Sequence, residues 1–226
     1  MQIVFVSGHY PSDTPFAQST RRSFEQYTKR HGYGFYYDDS SPSPAFRAKH
    51  ELHYRRCIIF QKAAATFPNA DWYIWVDSDV FVNKPDMRIE DCIDLTDKNI
   101  LYHLFHEKPW SFPINTGVKI VNRIAIPIES TIYTMRNTPP WNEFPYEQKI
   151  TAEYVIPKIQ GQYKIHDPYL LNYILYQIRD THNDPTQAVF IHLCTRTTDQ
   201  RNKIMHIFET ENRIMDQSED RTIVNH

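Results

Sequence analysis

Two aspartates, Asp77 and Asp79, separated only by Ser78, close the apolar run Trp72-Tyr73-Ile74-Trp75-Val76. Carboxylates so spaced repel each other unless a positive charge sits between them. A divalent cation supplies it, because hard cations prefer carboxylate oxygens. The run is too short for a typical helix and rich in aromatic and β-branched residues, so it reads as a buried strand. Along a strand, residues i and i+2 point to one side, which puts Asp77 and Asp79 together, about 7 Å apart at Cα. A polar turn with two solvated acids has the same short signature, so the pair gains meaning from the elements that position it.

Those elements alternate. Residues 2–7 read as a strand ending in Ser7-Gly8. A helix follows from about Pro15 to Arg30, with Thr14 as N-cap, Pro15 at the first helical position and Gly32 as the stop. Phe35 to Tyr37 forms a short strand, and Ser40 to Pro44 a loop. The next helix covers roughly His50 to Phe67, with Ile59, Ala63 and Phe67 on one face. After the strand at 72–76, further strands are expected at 100–104, 118–121 and 188–192, and helices near 124–135, 147–155 and 169–178. The expected fold is α/β: one domain with a mainly parallel central sheet covered by helices on both faces. Open sheets of this kind bind ligands at the carboxyl ends of their strands, where Asp77, Asp79, Ser7 and Gly8 all fall.

A chain of 226 residues suits one large domain over two small ones. The domain is expected over 1–208, with 209–226 as a polar tail or the start of a linker. Lys and Arg number 25 against 27 Asp and Glu, so no bulk nucleic-acid binding is expected. Three dispersed cysteines, Cys57, Cys92 and Cys194, fit free thiols in a reducing, cytoplasmic setting. No stretch is long and apolar enough to span a bilayer, so the chain is expected to be soluble.

Strand 1 with Val-Ser-Gly, followed by a strand ending in Asp-Ser-Asp, resembles the nucleotide-sugar domain of GT-A-fold (Rossmann-like) glycosyltransferases. Within that group the chain resembles the retaining galactosyl-, mannosyl- and xylosyltransferases of glycosyltransferase family 34. The landmarks match in order: Tyr54-Arg55-Arg56, Asp77-Ser78-Asp79, Asn115-Thr116-Gly117, Glu147-Gln148 before an apolar helix, then Leu171-Asn172-Tyr173 and Phe190-Ile191-His192. The likeness runs from Val4 to about Met205. The chain departs from the family in three ways. His192 precedes Leu-Cys-Thr instead of the usual His-x-x-Gly, the acid beside Gln148 is Glu instead of Asp, and the family's membrane anchor is not expected within this sequence. The last point suits a virus-encoded or stand-alone form.

The resemblance implies a metal site of Asp77, Asp79 and His192 holding Mn²⁺ (or Mg²⁺), a nucleotide-sugar donor, a UDP-sugar by likeness, and a glycan or glycoprotein acceptor. It also implies retention of configuration. Elementary chemistry agrees on the needs. A departing diphosphate requires positive charge, which a carboxylate-held cation supplies as a Lewis acid, and arginine grips phosphate through its planar fork. Arg56 and Arg196 are the candidate donor contacts, with Arg55, Arg201 and Lys203 as further basic residues. Ser7 and Gly8 permit close backbone approach. Tyr36 and Tyr37 either stack on the base or belong to the core. Ser78 and Asn115 complete the expected donor contacts, although Asn-Thr-Gly is also a common turn sequence. Glu147 and Gln148 are the expected reaction-centre pair, the first as nucleophile or charge stabiliser, the second as an orienting group. Trp110 and Trp141 are candidate sugar-stacking walls, although core packing is the commoner use of Trp.

Two other classes use similar residues. A metal-dependent phosphoryl or nucleotidyl transferase also employs paired aspartates, but no glycine-rich phosphate loop is present and the chain holds only 5 Gly. A non-catalytic carbohydrate-binding domain would suit the 14% aromatic content, yet has no need of an acid pair at the end of a buried strand.

Overall fold

The computed structural model describes residues 1–41, 49–107, 112–175 and 185–222. Its main sheet has six strands in the order β2 (Gly34–Asp38), β1 (Ile3–Gly8), β3 (Trp72–Val76), β6 (Asn115–Asn122), β5 (Tyr102–Phe105), β7 (Tyr163–His166). β1 runs parallel to β2 and β3, and β5 parallel to β7, while β6 is antiparallel to both neighbours. The mainly parallel expectation holds, with β6 as the reversed strand.

Alternation along the central strands explains the two-sided core. On β1 and β3, Val4, Val6, Tyr73 and Trp75 face helices α2 (Lys49–Thr66) and α4 (Ile126–Met135), meeting Tyr54, Phe60, Ala63 and Ile132. Ile3, Phe5, Trp72, Ile74 and Val76 face the other way, against Phe24 and Tyr27 of α1 (Pro15–His31) and Ile89 of α3 (Ile89–Cys92). A strand covered on both sides must be apolar at every position, which is why Trp72–Val76 has no polar residue. Each such side chain contributes about 1.5–3 kcal/mol on full burial.

A second, three-stranded sheet, β4 (Val80–Val82), β9 (Phe190–His192) and β8 (Tyr173–Ile174), stands beside the carboxyl end of β3. β9 pairs antiparallel with β4, placing His192 opposite Val80, and parallel with β8. A third cluster, including Phe16, Phe81, Ile191, Leu193 and Met205, seals this sheet between α1 and α6 (Thr198–Thr222).

Some expected elements differ. The helix near 169–178 is absent where the chain is described: Tyr173–Ile174 is a strand, because pairing with β9 outweighs the apolar spacing. Residues 176–178 lie outside the described residues, as does most of the Ser40–Pro44 loop. The segment 147–155 is α5 (Glu147–Ile150) continued by a π-helical stretch, Thr151–Val155. Helix α6 continues through the expected 208/209 boundary. Gly32 stops α1 in the left-handed conformation, at φ 72°. Thr14 gives α1 no side-chain cap. Its first turn is capped from afar, Phe16 N donating to Asn202 Oδ1 of α6 at 3.1 Å. No helix among the described residues is long and apolar enough to cross a membrane.

Candidate active site

β3 ends at Val76, and the next four residues form a turn closed by Val80 N donating to Asp77 O at 3.0 Å. The strand pleat expected for Asp77 and Asp79 is therefore replaced by a turn, and both carboxylates still converge. Asp77 N extends the β3–β6 ladder to Gly117 O at 2.8 Å, and Leu193 N donates to Asp79 O at 3.0 Å. Backbone pairing thus seats one aspartate beside β6 and the other beside the end of β9. One ligand atom from each of Asp77, Asp79 and His192 lies within 4.8 Å of the other two. His192 Nε2 is 3.3 Å from Asp79 Oδ1 and 3.8 Å from Asp77 Oδ2.

A chain of amides fixes the imidazole. His192 Nδ1 lies 3.1 Å from Asn172 Oδ1, and Asn172 Nδ2 donates to Asn115 Oδ1 at 2.9 Å. Gly117 N donates to the same Asn115 oxygen at 2.9 Å. With Asn172 presenting its carbonyl oxygen, Nδ1 carries a proton, and Nε2 is the nitrogen left to face the aspartates, an assignment made from the network. Burial works against charge on the imidazole, but Cys194 and Asp79 raise His192 well above its ordinary value. Burial likewise works against charge on Asp79, yet His192 and Arg201 hold it below the usual carboxylate range.

Arg56 is buried at the centre of the site. Its guanidinium lies 3.1 Å from Asp77 Oδ1 and 2.9 Å from Glu147 Oε1, and donates to Thr116 O at 2.7 Å. The Trp75 indole donates to Asp77 Oδ1 at 2.6 Å. Glu147 Oε1 also accepts from Thr116 Oγ1 at 2.7 Å, whereas its buried Oε2 has no partner among the described residues. Burial raises Glu147 above the carboxylate range, and Arg56 and Lys119 oppose this only in part. Gln148 accepts from Thr116 N at 3.2 Å and donates to Glu107 Oε2 at 2.9 Å. Glu107 also accepts from Asn115 Nδ2 at 3.3 Å, and burial raises its carboxyl.

These groups line one cleft of about 920 Å³. Of the expected site residues, Gly8, Arg56, Asp77, Ser78, Asp79, Asn115, Glu147, Gln148 and His192 meet there. Ser7 lies beneath it, its hydroxyl donating to Val76 O at 2.8 Å, and so ties β1 to β3. Tyr37 does not line the cleft and carries Arg21 over its ring at 4.8 Å. Tyr36 packs against the core. Arg196 is also outside the lining, where Arg201 of α6 stands, 2.9 Å from Asp79 Oδ2. Asn115-Thr116-Gly117 opens β6 and is not a turn. Trp141 is half-buried and packs on Tyr154 against the core, and Trp110 lies outside the described residues.

Glu107 and His9 were missed as site residues in the sequence, and Asn172 was read only as a landmark of the resemblance, without a role. His9 Nδ1 lies 2.8 Å from Ser78 Oγ, at the end of β1. Its position just past Ser7-Gly8 was the available signal. Glu107 follows β5 at the same carboxyl edge, but nothing in its neighbours marks it.

A model of the galactosyl transferase GMA12/MNN10 family matches residues 3–142. The chain belongs to that family. It is thus a glycosyltransferase, and the matched span includes Asp77, Asp79 and Arg56. It is similar to a glycosyltransferase involved in the glycosylation of the major capsid of PBCV-1, at 45% identity and a TM-score of 0.85, covering 92% of this chain and 100% of that one. It is also 26% identical over 94 residues to an alpha-1,2-galactosyltransferase of Schizosaccharomyces pombe (strain 972 / ATCC 24843), covering 39% of this chain. That match spans only 25% of the yeast protein. The galactosyltransferase LgtC, solved with donor and acceptor sugar analogs, shares the fold at a TM-score of 0.53 and 12% identity, covering 91% of this chain and 95% of that one. The family and the GT-A-like fold expected from the sequence are both borne out.

Proposed function

We propose that this glycosyltransferase moves a hexose from a UDP-sugar to a glycan hydroxyl, with metal dependence and retention of configuration. The observation that carries the reading is the convergence of Asp77, Asp79 and His192 on the floor of a cleft large enough for a nucleotide sugar. Two carboxylates and one borderline imidazole suit Mn²⁺ or Mg²⁺. The glycine at 117 fits the same purpose, since a side chain there would displace the His192 ring. A cation held there supplies Lewis-acid stabilisation of the departing diphosphate.

The chain's own residues do the rest. Asn172 orients His192, and Arg56 with Trp75 orients Asp77. Arg201 stands beside Asp79, in reach of the diphosphate, and takes the part first given to Arg196. Gly8 lines the cleft, and glycine is needed there for β1 to pack closely, because a Cβ would come within 2.6 Å of Asp38 O. Glu147 holds one oxygen to Arg56 and Thr116, and the other has no partner among the described residues. A carboxylate fixed in that way stabilises an oxocarbenium-like charge better than it attacks. Gln148 orients the reacting sugar from the adjacent position.

The test is proton NMR of UDP-galactose, UDP-glucose and GDP-mannose, each incubated with the protein, Mn²⁺ and simple methyl glycosides. Consumption of a UDP-sugar, with a first-formed product of the donor's own anomeric configuration, supports the reading. An inverted product removes both retention and the role of Glu147. Consumption of GDP-mannose alone removes the uridine assignment.

A further inference from the structure

The floor of the cleft is polar and charged, but exposed apolar side chains also border it. Among the large apolar side chains exposed on the described surface, Phe144 is 79% exposed, Tyr10 49% and Leu52 47%, and all three border this same cleft. Phe144 and Tyr146 flank Pro145, immediately before Glu147. The Tyr146 ring stacks on His53 of α2, with centroids 4.6 Å apart and planes 27° apart. Phe144 meets the Tyr146 ring edge-on, at 5.9 Å and 86°. Tyr146 has φ 59° and ψ −122°, a strained conformation for a residue with a side chain. That conformation leads the chain straight from the aromatic pair into α5, which carries Glu147 and Gln148.

An exposed aromatic ring beside buried hydrogen-bonding groups is what a pyranose needs. Its C–H face covers the ring, while its hydroxyls reach polar side chains. Here the polar groups are Gln148 and Glu107, both in the same cleft and bonded to each other. A lipid or an apolar protein segment would leave the remaining hydrogen-bonding capacity of those groups, beyond the bonds they make to each other, to Thr116 and to Asn115, unused.

We propose that Phe144, propped by Tyr146 and His53, is the stacking platform for the acceptor sugar, and that the acceptor is a pyranoside entering over this rim. The proposal rests on the reading of the cleft as a nucleotide-sugar transferase site. It moves the sugar-stacking role from Trp141, which is half-buried against the core, to a residue three positions before Glu147 and four before Gln148.

The experiment is saturation-transfer NMR on the full chain saturated with Mn²⁺ and UDP. The probes are methyl β-D-galactopyranoside, methyl α-D-galactopyranoside, methyl α-D-mannopyranoside and methyl β-D-glucopyranoside. At least one should bind the unaltered protein and show transfer to the protons of its C–H face. Phe144→Ala should weaken that binding about three- to tenfold, and Phe144→Trp should preserve it. Phe144 is exposed, so neither substitution threatens folding, and thermal melts of both variants check this. Equal glycoside affinity in Phe144→Ala, or no binding of any of the four to the unaltered protein, overturns the platform. A change in sedimentation without a change in glycoside binding also overturns it, and assigns the rim to a second copy of the chain. Mn²⁺-dependent UDP binding, measured on the same samples, separates the two readings. Its absence removes the transferase site, whereas its presence without glycoside binding removes only the platform.

Discussion

Gly117 makes room for His192. A Cβ at residue 117 would overlap Cε1 and Nδ1 of the imidazole and lie 2.9 Å from Nε2. The two residues belong to different sheets, and this close approach lets the end of β9 bring its imidazole against the aspartates that follow β3. Gly117→Ala should therefore push the ring out of place. The expected result is a loss of Mn²⁺ affinity of about 10- to 100-fold, as for other groups that orient a ligand, with destabilisation of about 1–3 kcal/mol from overpacking. Calorimetric titration and thermal melts measure the two. Unchanged Mn²⁺ affinity would show that His192 does not need this space.

Arg56 is buried and joins Asp77 and Glu147; its pair with Glu147 is buried, whereas the Asp77 side chain is 26% exposed. Lysine has one ammonium and no fork, so Arg56→Lys cannot reach Asp77, Glu147 and Thr116 O together. Arg56→Met should cost about 3–5 kcal/mol in urea unfolding, because two carboxylates lose a buried partner. Adding Glu147→Gln to Arg56→Met should recover part of that loss. Strict additivity of the two changes would mean that the residues are not coupled.

Acid sensitivity should come partly from a histidine away from the cleft. His103 on β5 lies 2.9 Å through Nδ1 from His166 Nε2. Burial, with help from His166 and Lys164, lowers its pKa from 6.5 to about 3. The folded state keeps it neutral, whereas the unfolded chain takes up a proton below about 6.5. Its contribution is therefore intact above pH 6.5 and is lost as the pH falls toward 3. At pH 5 the loss is about 2 kcal/mol. Urea melts between pH 7 and pH 4 should steepen accordingly, and His103→Phe should flatten the slope. An unchanged slope in that variant would place the acid sensitivity elsewhere.

Much of the site was legible because strands write themselves plainly. The unbroken apolar run before Asp77 follows from a strand covered on both faces, and Val189-Phe190-Ile191 places His192 in the same way. What was not legible depends on long-range packing. Arg201 reaches Asp79 because α6 docks on α1 and caps it through Asn202, a contact no local pattern encodes. Glu107 becomes a site residue only because β5 and β6 pair beside α5. The turn-like Asn115-Thr116-Gly117 is a strand because β3 and β5 lie on either side of β6, and pairing overrides composition. Buried Lys119 and Glu129, 2.8 Å apart under the site, gave no sign in the sequence of being a core ion pair.

The central claim is a metal-assisted diphosphate site built on Asp77, Asp79 and His192, and calorimetric titration of UDP tests it most directly. Binding should require Mn²⁺, vanish with a chelator, and weaken about 100-fold or more in Asp79→Asn, while the variant keeps its fold. UDP binding of equal strength in chelator, or in Asp79→Asn with Mn²⁺, would contradict the account.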